Sequence, residues 1–263
     1  MNHLLDLETY PLDHPDSPEY AALVEKCRTD LADRGMFNLS GFFQAGVAQA
    51  AADAAKPKMD TESFLHARRH NVYFKKSMPG IDSDHPAMVE FETINHTLCA
   101  DQLEGNPVID VYEWQPFIDF LAATMGKDAL YQMDDALGRV NVQATRHGEG
   151  LNWHFDRSEF TTTILLQAPE VGGQLEFRKD LRTPEDQNYD GVAKMLAGND
   201  PETIRIMPEP GALNVFRGVN TPHRVVTVEG ETDRVIAIFA YYENPGVTFS
   251  KEEQMGFYGR SNL

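Results

Sequence analysis

After Gly138 the chain breaks into short runs of β-branched and aromatic residues, each closed by turn-forming residues, and this alternation leaves few folds open. The runs cover residues 140–145, 161–166, 174–177, 203–206, 212–216, 223–228 and 234–241. Gly172-Gly173, Pro210-Gly211 and Glu229-Gly230 punctuate them. Strands this short and this regularly spaced predict an antiparallel sandwich or barrel, not alternating β/α units. Residues 179–200, rich in Asp, Asn and Gly, interrupt the series and are expected to form an insertion or lid.

The first 137 residues have a different texture. Tyr20, Leu23, Val24, Cys27 and Leu31 recur at spacings of three and four behind Ser17-Pro18-Glu19, which predicts an amphipathic helix over 17–34 stopped by Gly35. Residues 36–39 form a short extended candidate, and 42–55 an alanine-rich helix ended by Lys56-Pro57. Further helices are expected over 86–103 and 107–125. The expected division is a helical N-terminal region over 1–137, a β core over 138–250 and a tail over 251–263, giving an α+β chain. With 263 residues, 41% of them hydrophobic, there is material for one sizeable core.

Lys and Arg number 23 against 41 Asp and Glu, and a formal net charge of −18 argues against nucleic acid or an anionic membrane surface as partner. The acidic surface is read as one that keeps the chain soluble. Cys27 and Cys99 lie far apart in patterns that read as buried helix positions, which speaks against a secreted disulfide scaffold and for a reducing cytoplasm. The N-terminus has no positive region followed by an apolar run, and no stretch reaches the roughly 18 apolar residues of a membrane span. A soluble, unprocessed protein is expected.

The chemistry concentrates in His154-Phe155-Asp156 and in His223 at the head of a later strand. Residues i and i+2 of an extended segment point to the same side, so His154 and Asp156 can face one interior together. Two imidazoles and one carboxylate form the 2-His-1-carboxylate set, which leaves three open positions on octahedral iron(II). A chelating 2-oxo acid takes two of them and dioxygen one. With nine histidines in the chain an H-x-D pair alone says little, but Arg234 sharpens it. It lies eleven residues after His223 and opens an apolar strand, where an unpaired guanidinium is costly unless an anion satisfies it. A planar bidentate partner such as the distal carboxylate of 2-oxoglutarate meets that need.

In order and spacing, His154-Phe-Asp156, the Thr161-Thr-Thr strand, Gly172-Gly-Gln-Leu-Glu-Phe177, Pro208-Glu-Pro-Gly211, Pro222-His223 and Arg234 resemble the iron(II)/2-oxoglutarate dioxygenase superfamily, most closely its prolyl-hydroxylase-like branch. The likeness covers roughly residues 139–242. It implies a double-stranded β-helix, a cupin-like jelly-roll with the metal in its mouth and N-terminal helices buttressing it. It places the metal ligands at His154, Asp156 and His223 and the 2-oxoglutarate anchor at Arg234. It puts further co-substrate contacts at Thr162 and Leu175, with Gln143 a polar candidate on the preceding strand. Many relatives carry Ser or Thr two or four residues after the basic anchor; here Ile236 and Ile238 stand there, so Thr162 is expected to supply the second partner of the distal carboxylate.

The implied cofactors are Fe(II), 2-oxoglutarate as co-substrate and O2, with succinate and carbon dioxide released. Asp156 favours hydroxylation, because related radical halogenases have Gly or Ala at that position. The string from Asn152 to Thr163 is also similar to the group of free-amino-acid radical halogenases and their hydroxylating relatives, which makes a small molecule such as a free amino acid the expected substrate. Two alternatives stay open: a hydroxylase of protein or peptide side chains, and a cupin-like metal-binding protein without oxygenase activity, in which Arg234 would be a structural ion pair. Of the remaining residues, Trp153 and Phe155 are expected to pack and Arg224 to form a structural salt bridge. His147 belongs to a turn rather than to the ligand set. Residues 68–73 form either a solvated basic patch or a hold for a substrate carboxylate.

Overall fold

The computed structural model describes residues 1–262. Helix α1 (Pro18–Arg34) starts where Ser17 Oγ accepts the Tyr20 amide at 3.1 Å and ends at Gly35, whose φ of +75° returns its N–H to the Leu31 carbonyl. Helix α2 (Val47–Thr61), α3 (Pro107–Glu113) and α4 (Gln115–Met125) follow in the first half. Helices α5 (Tyr189–Leu196) and α6 (Lys251–Tyr258) come later. The early strands are β1 (Met36–Leu39), β2 (Phe64–His70), β3 (Phe91–Cys99) and β4 (Tyr131–Gln132). Then come β5 (Val140–Thr145), β6 (Leu151–His154), β7 (Thr161–Gln167), β8 (Leu175–Phe177) and β9 (Ile204–Ile206). The series closes with β10 (Leu213–Phe216), β11 (His223–Val225), β12 (Arg234–Phe239) and β13 (Tyr241–Tyr242).

These strands form an antiparallel sheet of seven in the order β1-β10-β7-β12-β5-β3-β2 and one of four in the order β6-β11-β8-β9, with a small β13-β4 pair. One face of the large sheet carries Val140, Val142, Ile164, Leu166, Val215, Val235, Ala237 and Phe239, all buried in one cluster with side chains of α1 to α4. Burying each large apolar side chain there contributes about 1.5–3 kcal/mol. The other face looks toward the small sheet, and the two sheets meet where Met36 and Phe216 pack on Leu175 and Phe177.

The expected helix over 86–103 is corrected: the segment is β3, flanked by single 3-10 turns at Pro86–Met88 and Ala100–Gln102. The reason lies in which side is buried. Thr93, Asn95 and Thr97 alternate inward, so the period of two is carried by polar residues that a hydrophobic pattern does not register. Cys99 accordingly ends a strand, while Cys27 lies buried on α1 as expected. Residues 64–70 form β2 beside β3, so the first 137 residues supply three strands to the large sheet as well as helices.

Helix α2 also departs from expectation, starting at Val47 and running through Pro57 to Thr61. Its last turn is held from outside the backbone ladder: Met59 is buried, Ser63 Oγ donates to the Met59 carbonyl at 2.6 Å, and Lys58 Nζ donates to the Gln102 carbonyl at 2.8 Å. The end of the chain folds as α6, capped by Ser250 and Glu253. Gln254 donates to buried Asp135 at 2.9 Å, and the Tyr258 hydroxyl donates to Asn141 Oδ1 at 3.1 Å. Residues 179–200 carry α5, which packs through Val192 and Met195 with Val72, Met78 and Met88 of the 71–90 segment and with Trp153 and Phe155.

Candidate functional site

Strands β6 and β11 pair so that His154 stands opposite His223, and their rings lie 4.2 Å apart. Beyond β6 the chain is held by two backbone bonds, from the Phe155 amide to the Val72 carbonyl at 3.2 Å and from the Asp156 amide to the Gly218 carbonyl at 3.1 Å. This turns the Asp156 carboxylate between the two imidazoles. His154 Nε2 is 3.5 Å from Oδ1 and His223 Nε2 is 3.5 Å from Oδ2. One donor atom from each residue falls within 4.8 Å of the others, a spacing that suits a single metal ion.

Backbone carbonyls settle the tautomers. His154 Nδ1 is 2.7 Å from the Asn152 carbonyl and His223 Nδ1 is 3.0 Å from the Thr221 carbonyl. A carbonyl only accepts, so each Nδ1 carries the proton and each Nε2 turns a lone pair inward. Asn152 is itself fixed, because its amide donates to Thr93 Oγ1 at 2.9 Å. Thr93 in turn bonds His70 Nε2 at 2.7 Å, and His70 Nδ1 donates to the Asn71 carbonyl at 2.9 Å. Burial pushes His70 down to about 4, so it stands neutral in this chain of bonds.

The electrostatics agree with a cation site. Burial alone would raise the Asp156 carboxyl, but His223, His154 and the Thr161 hydroxyl together hold it well below the usual carboxylate range. Burial, opposed by Asp156, pushes His223 down to about 4. His154 is pulled down by burial but raised on balance by the neighbouring Asp156 carboxylate, which favours the charged imidazolium while no metal is bound. The donor set is hard and mixed, oxygen plus imidazole nitrogen, which fits iron(II).

Arg234 is 4% exposed, and its Nε donates to the Gly173 carbonyl at 2.9 Å. Among the described residues no carboxylate lies within ion-pair distance of it, and burial lowers its pKa to about 10. Gly173, at φ +69°, is needed for this approach: a Cβ there would lie 3.1 Å from Arg234 Cδ and 2.6 Å from Pro169 Cγ.

Strand register assigns the other expected residues to faces. Arg234, Ile236 and Ile238 pair with Thr145, Gln143 and Asn141, so Gln143 shares the inner face with Arg234. Leu175 also faces inward, packed with Phe177 and Phe216. Thr162 does not join them. It pairs with Phe239 and Val215, both in the outer apolar cluster, whereas its neighbour Thr163 pairs with Ile238 and Asn214.

Trp153 and Phe155 are buried in the α5 cluster, as expected of packing residues. Arg224 turns away from the site and bonds buried Glu176 at 2.5 Å, as expected of a structural ion pair. His147 accepts the Gly230 amide at 3.2 Å in its turn. Residues 68–70 belong to β2 rather than to a helix-rich region. Arg68 lies 4.9 Å over the ring of Phe74, which takes the unusual φ of +55°, stacks 4.2 Å from His70 and sits 5.8 Å from the His154 ring. The sequence reading missed Thr161, Gly218, Thr93 and Phe74, because each acts through a neighbour brought in by the fold.

Two antiparallel sheets hold this His-Asp-His site between them, and solved structures share this fold. The chain resembles a Burkholderia pseudomallei oxidoreductase of the 2OG-Fe(II) oxygenase family at 14% identity and TM-score 0.51, covering 85% of this chain and 92% of that one. It resembles a Pseudomonas putida prolyl-4-hydroxylase at 15% and 0.50, covering 82% and 97%. The α-ketoglutarate-dependent epimerase SnoN from nogalamycin biosynthesis is similar at 14% and 0.56, covering 84% and 81%. No curated protein matches. The family model described as Halogenase D matches residues 20–255, and the chain belongs to that family.

Proposed function

We propose that the chain is an iron(II)- and 2-oxoglutarate-dependent oxygenase that hydroxylates an unactivated C–H bond of a small polar metabolite, with a free amino acid as the leading substrate class. One observation carries the reading: three donors converge between the sheets, and a buried guanidinium on the inner face has no carboxylate partner among the described residues. Bound there, iron(II) with 2-oxoglutarate and dioxygen supplies oxidative decarboxylation to succinate and carbon dioxide, coupled to oxidation of the substrate. The protein's part is orientation. The Asn152 and Thr221 carbonyls hold His154 and His223 with Nε2 inward, and the Gly173 carbonyl aims Arg234 at the distal carboxylate of 2-oxoglutarate. Gln143 and Leu175 flank that co-substrate from the inner surface. Its second hydrogen bond is assigned to Thr163, which takes the place expected of Thr162 because it shares a face with Ile238 on the Arg234 strand.

The two facing sheets are read as a double-stranded β-helix, buttressed by the helices of residues 1–137 and lidded by 179–200. The apolar cluster of α5 with segment 71–90 supports a roofed site for a small substrate over an open peptide groove. Arg68, which pairs with no carboxylate among the described residues, supports a substrate bearing an anionic group. Two free, buried cysteines support the cytoplasm as its compartment, and no described helix is long and apolar enough to cross a membrane.

Although the family description is halogenase, Asp156 supports hydroxylation, since its carboxylate fills the position a halide would need. The test is an amino-acid and metabolite panel assayed for substrate-coupled succinate under iron(II) and oxygen, followed by mass spectrometry of the product formed in concentrated chloride. One added oxygen and no chlorine isotope pattern is expected. Chlorinated product would remove Asp156 from the ligand set, and no succinate from 2-oxoglutarate under any condition would remove the oxygenase reading.

A further inference from the structure

We propose that Gly218 and Thr161 form a seat for the Asp156 carboxylate, so that these two positions, and not residue 156 alone, decide whether a carboxylate can serve as the third protein ligand. The inference rests on the reading of His154, Asp156 and His223 as a metal site. The Asp156 amide donates to the Gly218 carbonyl at 3.1 Å, which holds the two residues back to back. A Cβ built on Gly218 would lie 2.2 Å from Asp156 Oδ2 and 2.8 Å from both Cβ and Cγ of Asp156. Rotation of the carboxylate cannot relieve this, because the Asp156 Cβ is fixed by its backbone. Gly218 is not among the glycines with positive φ, so the backbone conformation does not demand glycine there and the close approach does.

Thr161 completes the seat from the other side. Its hydroxyl donates to the same Oδ2, and as the first residue of β7 it stands opposite Phe216, two residues before Gly218. One strand pair therefore fixes both parts of the seat relative to each other. Arg182 pins it from above: its Nε donates to the Val219 carbonyl at 2.9 Å while its guanidinium lies 3.7 Å over the ring of Phe155. The residues next to Gly218 and to Asp156 are thus held by one side chain. A carboxylate so placed presents oxygens to both imidazoles at 3.5 Å without having to be ordered when the metal arrives.

The test titrates cobalt(II) into metal-free protein and follows affinity and the visible absorption of the bound ion. Gly218→Ala should weaken binding roughly ten- to a hundredfold, the range typical when support of a metal ligand is lost, and should change the spectrum. Thr161→Val should weaken it less, and Thr161→Ser, which keeps the hydroxyl, should restore it. In an Asp156→Gly background, Gly218→Ala should have no further effect, because its clash partner is gone. Wild-type cobalt affinity in Gly218→Ala, or equal losses in both backgrounds, would overturn the seat. Should Gly218→Ala fail to fold, the Thr161 pair decides: Thr161→Val binding like wild type overturns the proposal. If Asp156→Gly itself binds cobalt(II) as tightly as wild type, the metal-site reading fails instead.

Discussion

The two faces of the seven-stranded sheet are built from alternate residues of the same strands, yet they differ almost completely in chemistry. Toward the helices stand Ile164, Leu166, Val215, Val235, Ala237 and Phe239, buried and apolar. Toward the small sheet the same strands present Thr161, Thr163, Asn214, Arg234, Gln143 and Asn141, with apolar relief from Phe216 and the two isoleucines of β12. Because side chains alternate with a period of two, a slip of one residue would exchange the faces and bury the polar set against the helices. The outer face therefore fixes the register, and the inner face inherits its geometry from that register.

The strongest way to break this comparison is to remove one residue from each face. His223→Ala should abolish metal binding and turnover while shifting the unfolding midpoint little, since the imidazole anchors a ligand position and not the apolar cluster. Ile164→Ala should do the reverse, costing about 2–5 kcal/mol of stability through a buried cavity while the folded fraction still binds metal. Denaturant unfolding and metal titration of both variants check this. A large stability loss in His223→Ala, with none in Ile164→Ala, would show that the faces do not divide the work this way.

A smaller effect is expected at Arg234, where the inner face holds a charge. Arg234→Ala should raise the 2-oxoglutarate requirement by an amount corresponding to about 2–5 kcal/mol, as for truncating one partner of a buried charge pair. Arg234→Lys should raise it less, because an ammonium keeps the charge but not the fork. Titration of co-substrate against succinate formation measures both, and an unchanged requirement in Arg234→Ala would place the anchor elsewhere.

How far the sequence could be read follows the same division. The large-sheet strands after Gly138 were legible because their outer residues are apolar and their turns carry glycine, whereas β6, which carries His154, was not among the expected runs. His154, Asp156 and His223 were legible because a short spacing brings two of them to one side, and Arg234 because a charge heads an apolar strand. Strands β2 and β3 were not, since their buried alternation runs through Thr93, Asn95 and Thr97. Thr161 and Gly218 were not legible either: they stand 57 positions apart, and only the pairing of β7 with β10 brings the residue that bonds Asp156 together with the one that makes room for it. Which of the three consecutive threonines face inward, Thr161 and Thr163 or Thr162, also depends on a register that no local spacing records.

That ambiguity supplies the smallest and most discriminating prediction. Thr162 and Thr163 are adjacent, equal in side chain and both buried, so substituting valine at each changes the same atoms on opposite faces. At Thr162, beside Phe239 and Val215, valine joins an apolar surface, and stability should stay within about 1 kcal/mol with the 2-oxoglutarate requirement unchanged. At Thr163, opposite Ile238 on the strand that carries Arg234, valine removes the hydroxyl assigned to the distal carboxylate. A neutral hydrogen bond contributes about 0.5–1.5 kcal/mol, so the requirement should rise roughly two- to tenfold, with little change in the maximal rate. Thr163→Ser should recover most of the loss, because it returns the hydroxyl without the methyl. The opposite pattern, with Thr162→Val raising the requirement and Thr163→Val leaving it alone, would mean that the outer face reaches the co-substrate and that the division between the faces is drawn at the wrong residue.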